Sequence, residues 1–359
     1  MTGLTIPFTG LKKQYNNLRD EILAATDEVL RSGQLMNGNY TAEFEDWLAK
    51  KNHTKYAITC HSGTQALEII SQYHAQNAHT KSPVVLLPAM TYVATANAFI
   101  RAGWSIRILD TDAYGIIATD NKQLRDPAHA VVLVGLYGAA QTRDAYWKGE
   151  ARILIEDAAQ HWLANNCTRV GCAAISFDPM KNLSCYGNGG AVVTDDLYLA
   201  EYARSWRDNG KPTHADTGTN SRMSEIDCAQ MMVKIKYIDT WQSQRKEIVH
   251  YWIEQFEKVG IRSLIDSTNF ARHCYHKFVI DIDNRDIVKQ QLANSKIETR
   301  IHYAQPLHEL PAYADLPGPG FFSKASALSR RVLSLPLYPE LTDLEVEYVA
   351  DHVIRYTKL

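Results

Sequence analysis

The chain has 359 residues, of which 45% are hydrophobic, and its 38 basic and 40 acidic residues give a net charge of -2. This length and hydrophobic content support a substantial core, so the chain is expected to form one large globular unit or two closely connected domains. The near balance of charges provides no general attraction to nucleic acid or to an anionic membrane, which favours a small-molecule substrate.

The cysteines and the absence of long apolar runs bear on where the protein works. The six cysteines are scattered without a CxxC pair: Cys60, Cys167, Cys172, Cys185, Cys228 and Cys274. Because the N-terminus also lacks the features of a signal sequence, reduced thiols and a cytoplasmic location are expected. No apolar run reaches the roughly 20 residues that a membrane-spanning helix needs, so no membrane segment is predicted.

Hydrophobic spacing predicts alternating helices and strands through the first part of the chain. The predicted helices are Tyr15–Leu30, which Ser32-Gly33 would end, Gln65–His74 and Thr95–Ala102. The predicted buried strands are Val84–Leu87, Val131–Val134, Ile153–Ile155 and Ala191–Thr194. This alternation is typical of an α/β protein with a mostly parallel sheet, in which ligands bind at the carboxyl ends of the strands.

The last third of the chain has the pattern of a smaller α+β unit. A long helical pattern over Ile226–Val249 leads into it, followed by a strand-like segment at Lys277–Ile282 and helical patterns at Arg285–Ala293 and Asp343–Tyr356. We therefore place a large domain at residues 1–245 and a small C-terminal domain at residues 246–359. Residues 1 to about 12 are a candidate for packing on the small domain. No Pro- or Gly-rich linker marks the boundary.

The segment from Ser176 to Gly190 carries a lysine in an irregular loop. Lys181 lies between a run of small residues and the strand that begins near Gly189. A lysine amine can attack an aldehyde to form a Schiff base. Taken alone, a lysine is more often a solvated surface residue. Here the neighbouring segments favour the reactive role.

One of those segments is the hydrophobic strand that ends in Glu156 and Asp157. A carboxylate held at a strand end can keep a pyridinium nitrogen protonated, so that the ring acts as an electron sink. Because side chains alternate along a strand, Asp157 is the candidate and Glu156 is expected to face away. The alternative role for Asp157 is a helix N-cap for the next residues. Gln160 could reach back towards the same ligand.

Two further segments could contact a flat phosphorylated ligand. The turn around Gly63 precedes a predicted helix, whose free backbone N–H groups, with the hydroxyls of Ser62 and Thr64, could bind a phosphate. The alternative is a simple N-cap. Tyr92 follows the Val84–Leu87 strand and could stack on a heterocycle, or else belong to the core.

Taken in order, these segments resemble the DegT/DnrJ/StrS family of pyridoxal-phosphate (PLP)-dependent nucleotide-sugar aminotransferases. The matching segments are Ile6-Pro-Phe, Ser32-Gly33, Phe44-Glu45, His61–Leu67, Thr91–Thr95, Ile155–Gln160, Ser176–Lys181, Gly218–Met223, Arg300–Tyr303 and Pro306–His308. The resemblance implies the aspartate-aminotransferase fold (fold type I): a large domain with a mostly parallel seven-stranded sheet flanked by helices, and a smaller α+β C-terminal domain.

The resemblance also implies roles for individual residues. Lys181 would form the internal aldimine and later shuttle the proton, a kind of assistance typically worth about 10²- to 10⁴-fold in rate. Asp157 would pair with the pyridine nitrogen, Tyr92 would stack on the ring, and Gln160 would contact its oxygen side.

The remaining implied cofactor contacts concern the phosphate. Gly63, Thr64 and Ser176 would bind it within one subunit. Asn220, in the loop matching Gly218–Met223, would complete the phosphate shell in the neighbouring subunit, which implies a homodimer with shared sites. His302, Tyr303 and His308 are candidate substrate residues, with ordinary packing or a turn beside Pro306 as the alternative.

The reaction implied is transamination. An amino donor, expected to be L-glutamate, would convert the cofactor to pyridoxamine phosphate, which would then aminate a UDP-, dTDP- or GDP-linked keto-sugar for polysaccharide biosynthesis. Lys181 argues against the related dehydratases, which carry histidine at that position. Ser221, Ser184-Cys185 and Asn188 depart from the commoner family residues and leave the sugar pocket undefined.

Three alternatives remain open from the sequence. The acceptor could be a keto-cyclitol or another cyclic ketone, because the cofactor residues do not contact the acceptor. The protein could instead be a non-catalytic PLP-binding regulatory protein, since a fold does not by itself imply a function. The polar loop Arg207–Lys211 could meet a nucleotide diphosphate or form a solvated turn. His61 and His161 lack metal-ligand spacing, so no metal is predicted.

Overall fold

The computed structural model describes residues 4–118, 121–125, 127–141, 153–164, 171–265, 270–316 and 322–358. Cys167 lies outside the described residues, and the other five cysteines are buried free thiols. Among the described residues, no helix is both long enough and apolar enough to cross a membrane.

The first part of the chain forms a large α/β unit. Its strands are β1 (Tyr56–Cys60), β2 (Val84–Pro88), β3 (Ser105–Leu109), β4 (Ala130–Val134), β5 (Ile153–Asp157), β6 (Cys172–Ser176) and β7 (Gly190–Thr194). Its helices in the described part of the chain are α1 (Leu11–Ser32), α2 (Asn39–Lys51), α3 (Gly63–Gln76), α4 (Val93–Arg101), α5 (Leu197–Trp206) and α6 (Glu225–Lys234).

The seven strands form one sheet in the order β1-β7-β6-β5-β4-β2-β3. The pairs β2-β3, β2-β4, β4-β5 and β5-β6 are parallel, and β7 runs antiparallel to both of its neighbours. Only β7 is therefore reversed, and β1, β2, β5 and β6 all end at the same edge of the sheet. The mostly parallel, helix-flanked sheet predicted for the family is confirmed.

Burial on both faces explains why these strands form the sheet interior. Every residue of β4, β6 and β7 is buried, as expected when helices cover both sides of a parallel sheet. The core on one face includes Ile69, Ile70 and Phe99 from α3 and α4. The core on the other face includes Phe44, Leu48 and Met231 from α2 and α6.

A second sheet belongs to the C-terminal part. Strands β8 (Arg262–Ser263), β9 (Phe278–Asp281) and β10 (Val332–Leu335) pair antiparallel in the order β10-β9-β8. Helices α7 (Ile238–Glu257), α8 (Arg285–Asn294), α9 (Ser323–Arg331) and α10 (Asp343–Thr357) accompany it. Helices α7, α8 and α10 and strands β9 and β10 enclose a separate hydrophobic core around Trp252, Phe256 and Phe278, whereas Ala325 and Leu328 of α9 pack in the core of the large unit.

The two units are joined by α7 and by the N-terminal segment. Ile238 and Trp241 of α7 pack in the core of the large unit, whereas Val249 and Trp252 pack in the C-terminal core. Ile6 donates its N–H to Lys296 O at 2.8 Å and accepts from Glu298 N at 2.9 Å. The division at residues 245 and 246 falls within α7 and stays a prediction.

The single long helix expected over Ile226–Val249 is not formed. The structure has α6, then a 3-10 turn at Ile235–Tyr237, then α7. Lys234, at the end of α6, is fully buried and donates to Ser184 O at 2.6 Å. The break lets the chain leave the face of the large sheet and continue towards the second core.

Candidate active site

A cavity of about 360 Å³ lies at the edge of the large sheet where β1, β2, β5 and β6 end, and the C-terminal unit closes part of it. Among the residues that line it are Gly63, Thr64, Tyr92, Asp157, Gln160, Ser176, Lys181, His302 and Tyr303. The structure therefore brings together nearly all of the site residues proposed from the sequence. Their roles in binding and catalysis stay predictions.

The loop that carries Lys181 is fixed by local and distant hydrogen bonds. Asp178 accepts from Met180 N at 2.9 Å through its carboxylate and from Lys181 N at 2.9 Å through its carbonyl. The next residue, Asn182, is buried and donates its side-chain amide to Cys274 O at 2.7 Å. These contacts tie the lysine to the segment that leads into β9, so its amine has a defined place.

The surroundings of Lys181 favour a reactive amine. Removal from water disfavours the charged ammonium and lowers the pKa of Lys181, an effect that the carboxylate of Asp157 partly opposes. A lowered pKa increases the fraction of neutral amine, which is the nucleophilic form. Lys181 is thus suited to attack an electrophilic carbon that enters the cavity.

Asp157 ends β5 as a buried carboxylate with two neutral donors. Thr95 Oγ1 donates to one oxygen at 2.6 Å, and the backbone N–H of Ala159 donates to the other at 3.2 Å. The second contact is local, and because residues 159–163 form turns and no helix, the helix-capping role considered for Asp157 is not realised. Among the described residues no cation lies within ion-pair distance of Asp157, although a buried carboxylate normally needs one.

Glu156 faces the opposite side of the sheet, as the strand alternation predicted. Its carboxylate lies 3.0 Å from His161 Nε2, and both side chains are buried. This contact gives His161 a structural partner. Within the described residues, no group of three or more His, Cys, Asp or Glu is arranged to hold a metal ion.

The start of α3 forms a narrow polar recess beside the end of β6. Ser62 caps the helix by accepting a hydrogen bond from Gln65 N at 3.2 Å. The N–H groups of Gly63 and Thr64, in the first turn, have no acceptor within the helix. A Cβ at Gly63 would lie 2.7 Å from Ser176 Cβ, so only glycine permits this approach. The recess brings N–H groups and hydroxyls together at a helix N-terminus, which suits a phosphate.

Polar and aromatic groups line the part of the cavity opposite Lys181. Gln160 accepts from Tyr137 N at 2.8 Å and donates to Tyr303 Oη at 3.2 Å. The ring centroid of Tyr92 lies 5.9 Å from that of Tyr303, and Tyr92 remains 55% exposed. Its ring therefore has a free face for stacking on a flat ligand.

His302 is held as a neutral imidazole. Burial, together with the nearby Lys277 and Lys181, lowers the pKa of His302 to about 3. Its Nδ1 lies 2.9 Å from Ser334 Oγ, and its carbonyl accepts from the hydroxyl of the buried Tyr137. His302 can therefore offer a neutral hydrogen-bonding edge, and it carries no charge at neutral pH.

Two of the proposed site residues do not line this cavity. His308 stacks on Phe322 with ring centroids 4.2 Å apart, and its Nε2 lies 3.1 Å from Ser326 Oγ. Asn220 is exposed and forms an isolated antiparallel β-bridge with Asp208. Its side-chain oxygen accepts a hydrogen bond from Arg222 Nη2 at 3.3 Å. The cavity of one subunit is thus formed without either residue.

The sequence analysis missed several residues that shape the cavity. Thr95 positions Asp157, Asp178 fixes the lysine loop, and His276 and Lys277 enter from the C-terminal unit. The strand beginning near Lys277 was predicted, but nothing in the sequence indicated that its first side chain faces a cavity. Arg207 is buried and bonds Thr59 O at 2.6 Å and Glu45, so it is a structural residue.

Comparison with known proteins relates this cavity to a family. Residues 16–354 match the model of the DegT/DnrJ/EryC1/StrS aminotransferase family. The chain is 34% identical, over 99% of both sequences, to the erythromycin biosynthesis sensory transduction protein EryC1 of Saccharopolyspora erythraea. It is 31% identical to a dTDP-3-amino-3,4,6-trideoxy-alpha-D-glucose transaminase of Streptomyces venezuelae, covering 97% of this chain and 95% of the relative.

Comparison with a solved structure supports the same family from the fold. The crystal structure of S. venezuelae DesV in complex with a ketimine intermediate superposes with a TM-score of 0.92, at 30% identity and 99% coverage of both chains. The resemblance noted from the sequence is thereby confirmed, together with the fold type I architecture. From its sequence match over nearly the whole length and from this structural agreement, the chain belongs to the DegT/DnrJ/EryC1/StrS aminotransferase family.

Proposed function

We propose that this protein is a PLP-dependent aminotransferase that moves an amino group from L-glutamate to a nucleotide-linked keto-sugar. The observation that carries the proposal is one cavity containing a lysine with a lowered pKa, a buried carboxylate that forms no ion pair among the described residues, and an open helix start. These three features match the aldehyde, the ring nitrogen and the phosphate of the cofactor, in that order.

The fit of the cofactor rests on Asp157 in particular. A buried carboxylate that receives only a hydroxyl and an amide N–H leaves its charge incompletely compensated. A protonated pyridine nitrogen would supply the missing cation and be held protonated in return. Gly63, Thr64 and Ser176 would bind the phosphate, Tyr92 would cover one ring face, and Gln160 would contact the ring oxygen.

The chemistry of the reaction follows from these positions. When bound, PLP supplies the electron sink that lets the carbon beside a substrate amine lose its proton. Lys181 would hold the cofactor covalently and, once released as a neutral amine, would remove that proton and return one to the neighbouring carbon. Asp157 would be held in place beside the ring, because Thr95 and Ala159 donate hydrogen bonds to its two carboxylate oxygens.

The acceptor is proposed from the relatives. The S. venezuelae relative is named as a transaminase of a dTDP-linked amino sugar, and it covers nearly the full length of this chain. A nucleotide-linked keto-sugar is therefore the favoured acceptor, with the nucleotide left open among UDP, dTDP and GDP. Cyclic ketones such as keto-cyclitols are the second choice.

A non-catalytic regulatory role is the remaining candidate. The S. erythraea relative is named as a sensory transduction protein, which favours this reading. Lys181 and Asp157 in one cavity argue for turnover. We further propose a cytoplasmic homodimer, supported by the five buried free thiols and by the position of Asn220 outside its own cavity.

Running the reaction backwards tests the proposal. The PLP-loaded protein is incubated with 2-oxoglutarate and a panel of UDP-, dTDP- and GDP-linked amino sugars, and products are identified by mass spectrometry. The proposal expects glutamate and a keto-sugar from at least one nucleotide series, and neither from Lys181→Ala. Absence of glutamate with every amino sugar, but its appearance with an aminocyclitol, would favour the second acceptor class; absence with both would favour the regulatory role.

A further inference from the structure

Lys277 is a buried lysine that faces the cavity and that the mechanism above does not use. It directly precedes β9, and its backbone N–H donates to Tyr137 O at 3.0 Å, which fixes the chain at this point. The residue is only 6% exposed and lines the same cavity as Lys181 and Asp157. Its side chain therefore borders a space that both units enclose.

No acidic partner compensates this lysine. Among the described residues, Lys277 Nζ has neither a side-chain hydrogen bond nor an ion pair, and it lies 5.2 Å from the centroid of the Phe8 ring. A buried ammonium without a partner is costly, and a lysine side chain also loses considerable conformational entropy on burial. A buried ionisable residue in a cleft is therefore a candidate for binding a ligand of opposite charge.

The ionisable groups that act on Lys277 are mostly basic. Burial lowers the pKa of Lys277 well below its usual range, and the nearby cations Lys181, Arg245 and Arg300 act in the same direction. Only Asp178 opposes them. His276 and His302 face the same region, and their pKa values are also lowered, so neither adds charge at neutral pH.

The size of the cavity limits what can reach Lys277. Its volume of about 360 Å³ is near the lower end of the roughly 300 to 1,000 Å³ typical of ligand sites. If the cofactor ring occupies part of it, a bulky nucleotide must remain outside. The group that meets Lys277 is therefore compact, and a single carboxylate would neutralise a single ammonium.

We propose that Lys277 binds a carboxylate of a substrate within the cavity. The carboxylate belongs either to the amino-acid donor or to an acidic keto-sugar, and both sources present the same monoanionic group. The identity of these substrates rests on the proposed function, whereas carboxylate binding can be measured without turnover. Lys277 would thus be a specificity-determining residue contributed by the C-terminal unit.

The proposal has a consequence that a purely structural lysine would not show. In the empty cavity burial lowers the pKa of Lys277, and an arriving carboxylate would raise that pKa. Carboxylate binding should then take up a proton, and affinity should fall as the pH rises through the pKa of the bound state. An arginine at this position stays charged in both states, so it should bind without this uptake.

Titration calorimetry of the PLP-loaded protein tests both points. The probes are 2-oxoglutarate for the donor carboxylate, and UDP-glucuronate compared with UDP-glucose for a sugar carboxylate. Each is titrated in two buffers of different ionisation enthalpy, which reports proton uptake. The variants are Lys277→Gln and Lys277→Arg, with the exposed Lys258→Gln as the matched control.

Loss of a charged hydrogen bond should weaken one carboxylate probe by roughly 10- to 150-fold in Lys277→Gln. Lys277→Arg should bind within about threefold of wild type, without the proton uptake, and Lys258→Gln should match wild type. The weakened probe identifies the source: 2-oxoglutarate indicates the donor, and loss of the preference for glucuronate over glucose indicates the acceptor.

Unchanged binding of both carboxylate probes by Lys277→Gln would overturn the proposal, as would a wild type that binds neither. If Lys277→Gln does not fold, equal proton uptake by wild type and Lys277→Arg would overturn it. Failure of the proposed function would give a different result. The wild type would then bind these carboxylates but would form no glutamate from 2-oxoglutarate with any amino sugar or aminocyclitol.

Discussion

The carboxylate of Asp157 is positioned by a short relay of hydroxyl groups. Thr95 Oγ1 lies 2.6 Å from Asp157 Oδ2 and 2.8 Å from Thr91 Oγ1, and all three residues are buried. Because Thr91 and Thr95 flank the first turn of α4, the start of that helix fixes the end of β5. The geometry of the acid therefore depends on an element about 60 residues earlier in the chain.

The first prediction concerns the charge of Asp157. Asp157→Asn keeps the size of the side chain but removes the anion that would hold the pyridine nitrogen protonated. We expect kcat/KM for glutamate to fall by roughly 10- to 150-fold, the range for a lost charged hydrogen bond. The measurement is the rate of the glutamate half-reaction, followed by absorbance.

Asp239→Asn is the matched control for that prediction. Asp239 is a strongly exposed carboxylate that pairs with Lys51 at the surface, so its replacement should leave the rate unchanged. Equal rates for Asp157→Asn and Asp239→Asn would remove Asp157 from the chemistry and leave it only its structural contacts to Thr95 and Ala159.

At the residue scale, the sequence predicted the groups that end strands. Asp157 was found because it ends a hydrophobic run, and Lys181 because it lies in an irregular loop beside a strand. Ser176 was proposed through the family resemblance, because its strand was not predicted. Lys277 could not be found this way, because it belongs to the other unit. Its position at the cavity depends on how the two units pack together. His308 and Asn220 were chosen by resemblance alone, and neither lines the cavity of its own chain.

The turn between β1 and α3 packs where the last residues of β1 and β6 meet the first residue of β7. Gly190 pairs with both Cys60 and Ser176, and a Cβ there would lie 2.3 Å from the carbonyl carbon of Ser62. Glycine at this position lets the turn settle against the sheet. The same packing brings Gly63 against Ser176 and forms the phosphate recess.

The second prediction tests this recess. In Gly63→Ala the new Cβ would lie 2.7 Å from Ser176 Cβ, so either α3 or the end of β6 must shift. We expect the dissociation constant for PLP to rise by roughly 10- to 150-fold as charged hydrogen bonds to the phosphate are lost. Fluorescence titration with PLP measures this, and circular dichroism checks that the fold is kept.

Gly187→Ala provides the control within the same region of the chain. A Cβ at Gly187 would meet nothing within 4 Å, so its PLP affinity should equal that of wild type. If Gly63→Ala bound PLP as tightly as Gly187→Ala, the phosphate would have to be placed elsewhere in the cavity.

Elements with strong hydrophobic patterns were predicted well, and weak ones were missed. Strands β2, β4, β5 and β7 were found from runs of Val, Ile and Leu. Strand β6 consists of Cys172-Ala-Ala-Ile-Ser176, whose small residues have little strand preference, and the sheet forms it by pairing on both sides. The break between α6 and α7 depends on packing against two cores, which periodicity does not reveal.

The cavity that contains Lys181 is built by two units, and Asn220 lies outside it. Asn220 is exposed beside Asp208 and Arg222, in a loop anchored by Ser221 N to Arg207 O at 2.9 Å. An exposed residue on a fixed loop can reach a site in another subunit. The overall architecture followed from the sequence, but its oligomeric state did not, because surface patterns do not identify a partner.

The third prediction concerns shared sites in a homodimer. Sedimentation should show a dimer, and Asn220→Ala should weaken PLP binding although the residue lies off its own cavity. Co-refolding Asn220→Ala with Lys181→Ala should form mixed dimers that contain one intact site each, so glutamate half-reaction activity should reappear beyond that of either variant alone. A monomer, or mixing without recovery, would contradict a site shared between subunits.

The central claim is that Lys181 reacts with PLP and that glutamate then transfers its amino group. The most direct test is the absorbance spectrum of the purified protein with PLP, before and after excess L-glutamate, for wild type, Lys181→Ala and the control Lys258→Ala. The account predicts a Schiff-base band near the visible edge that glutamate bleaches in wild type and in Lys258→Ala, and neither band nor bleaching in Lys181→Ala. A wild type that binds no cofactor, or a Lys181→Ala protein that behaves like wild type, would contradict it.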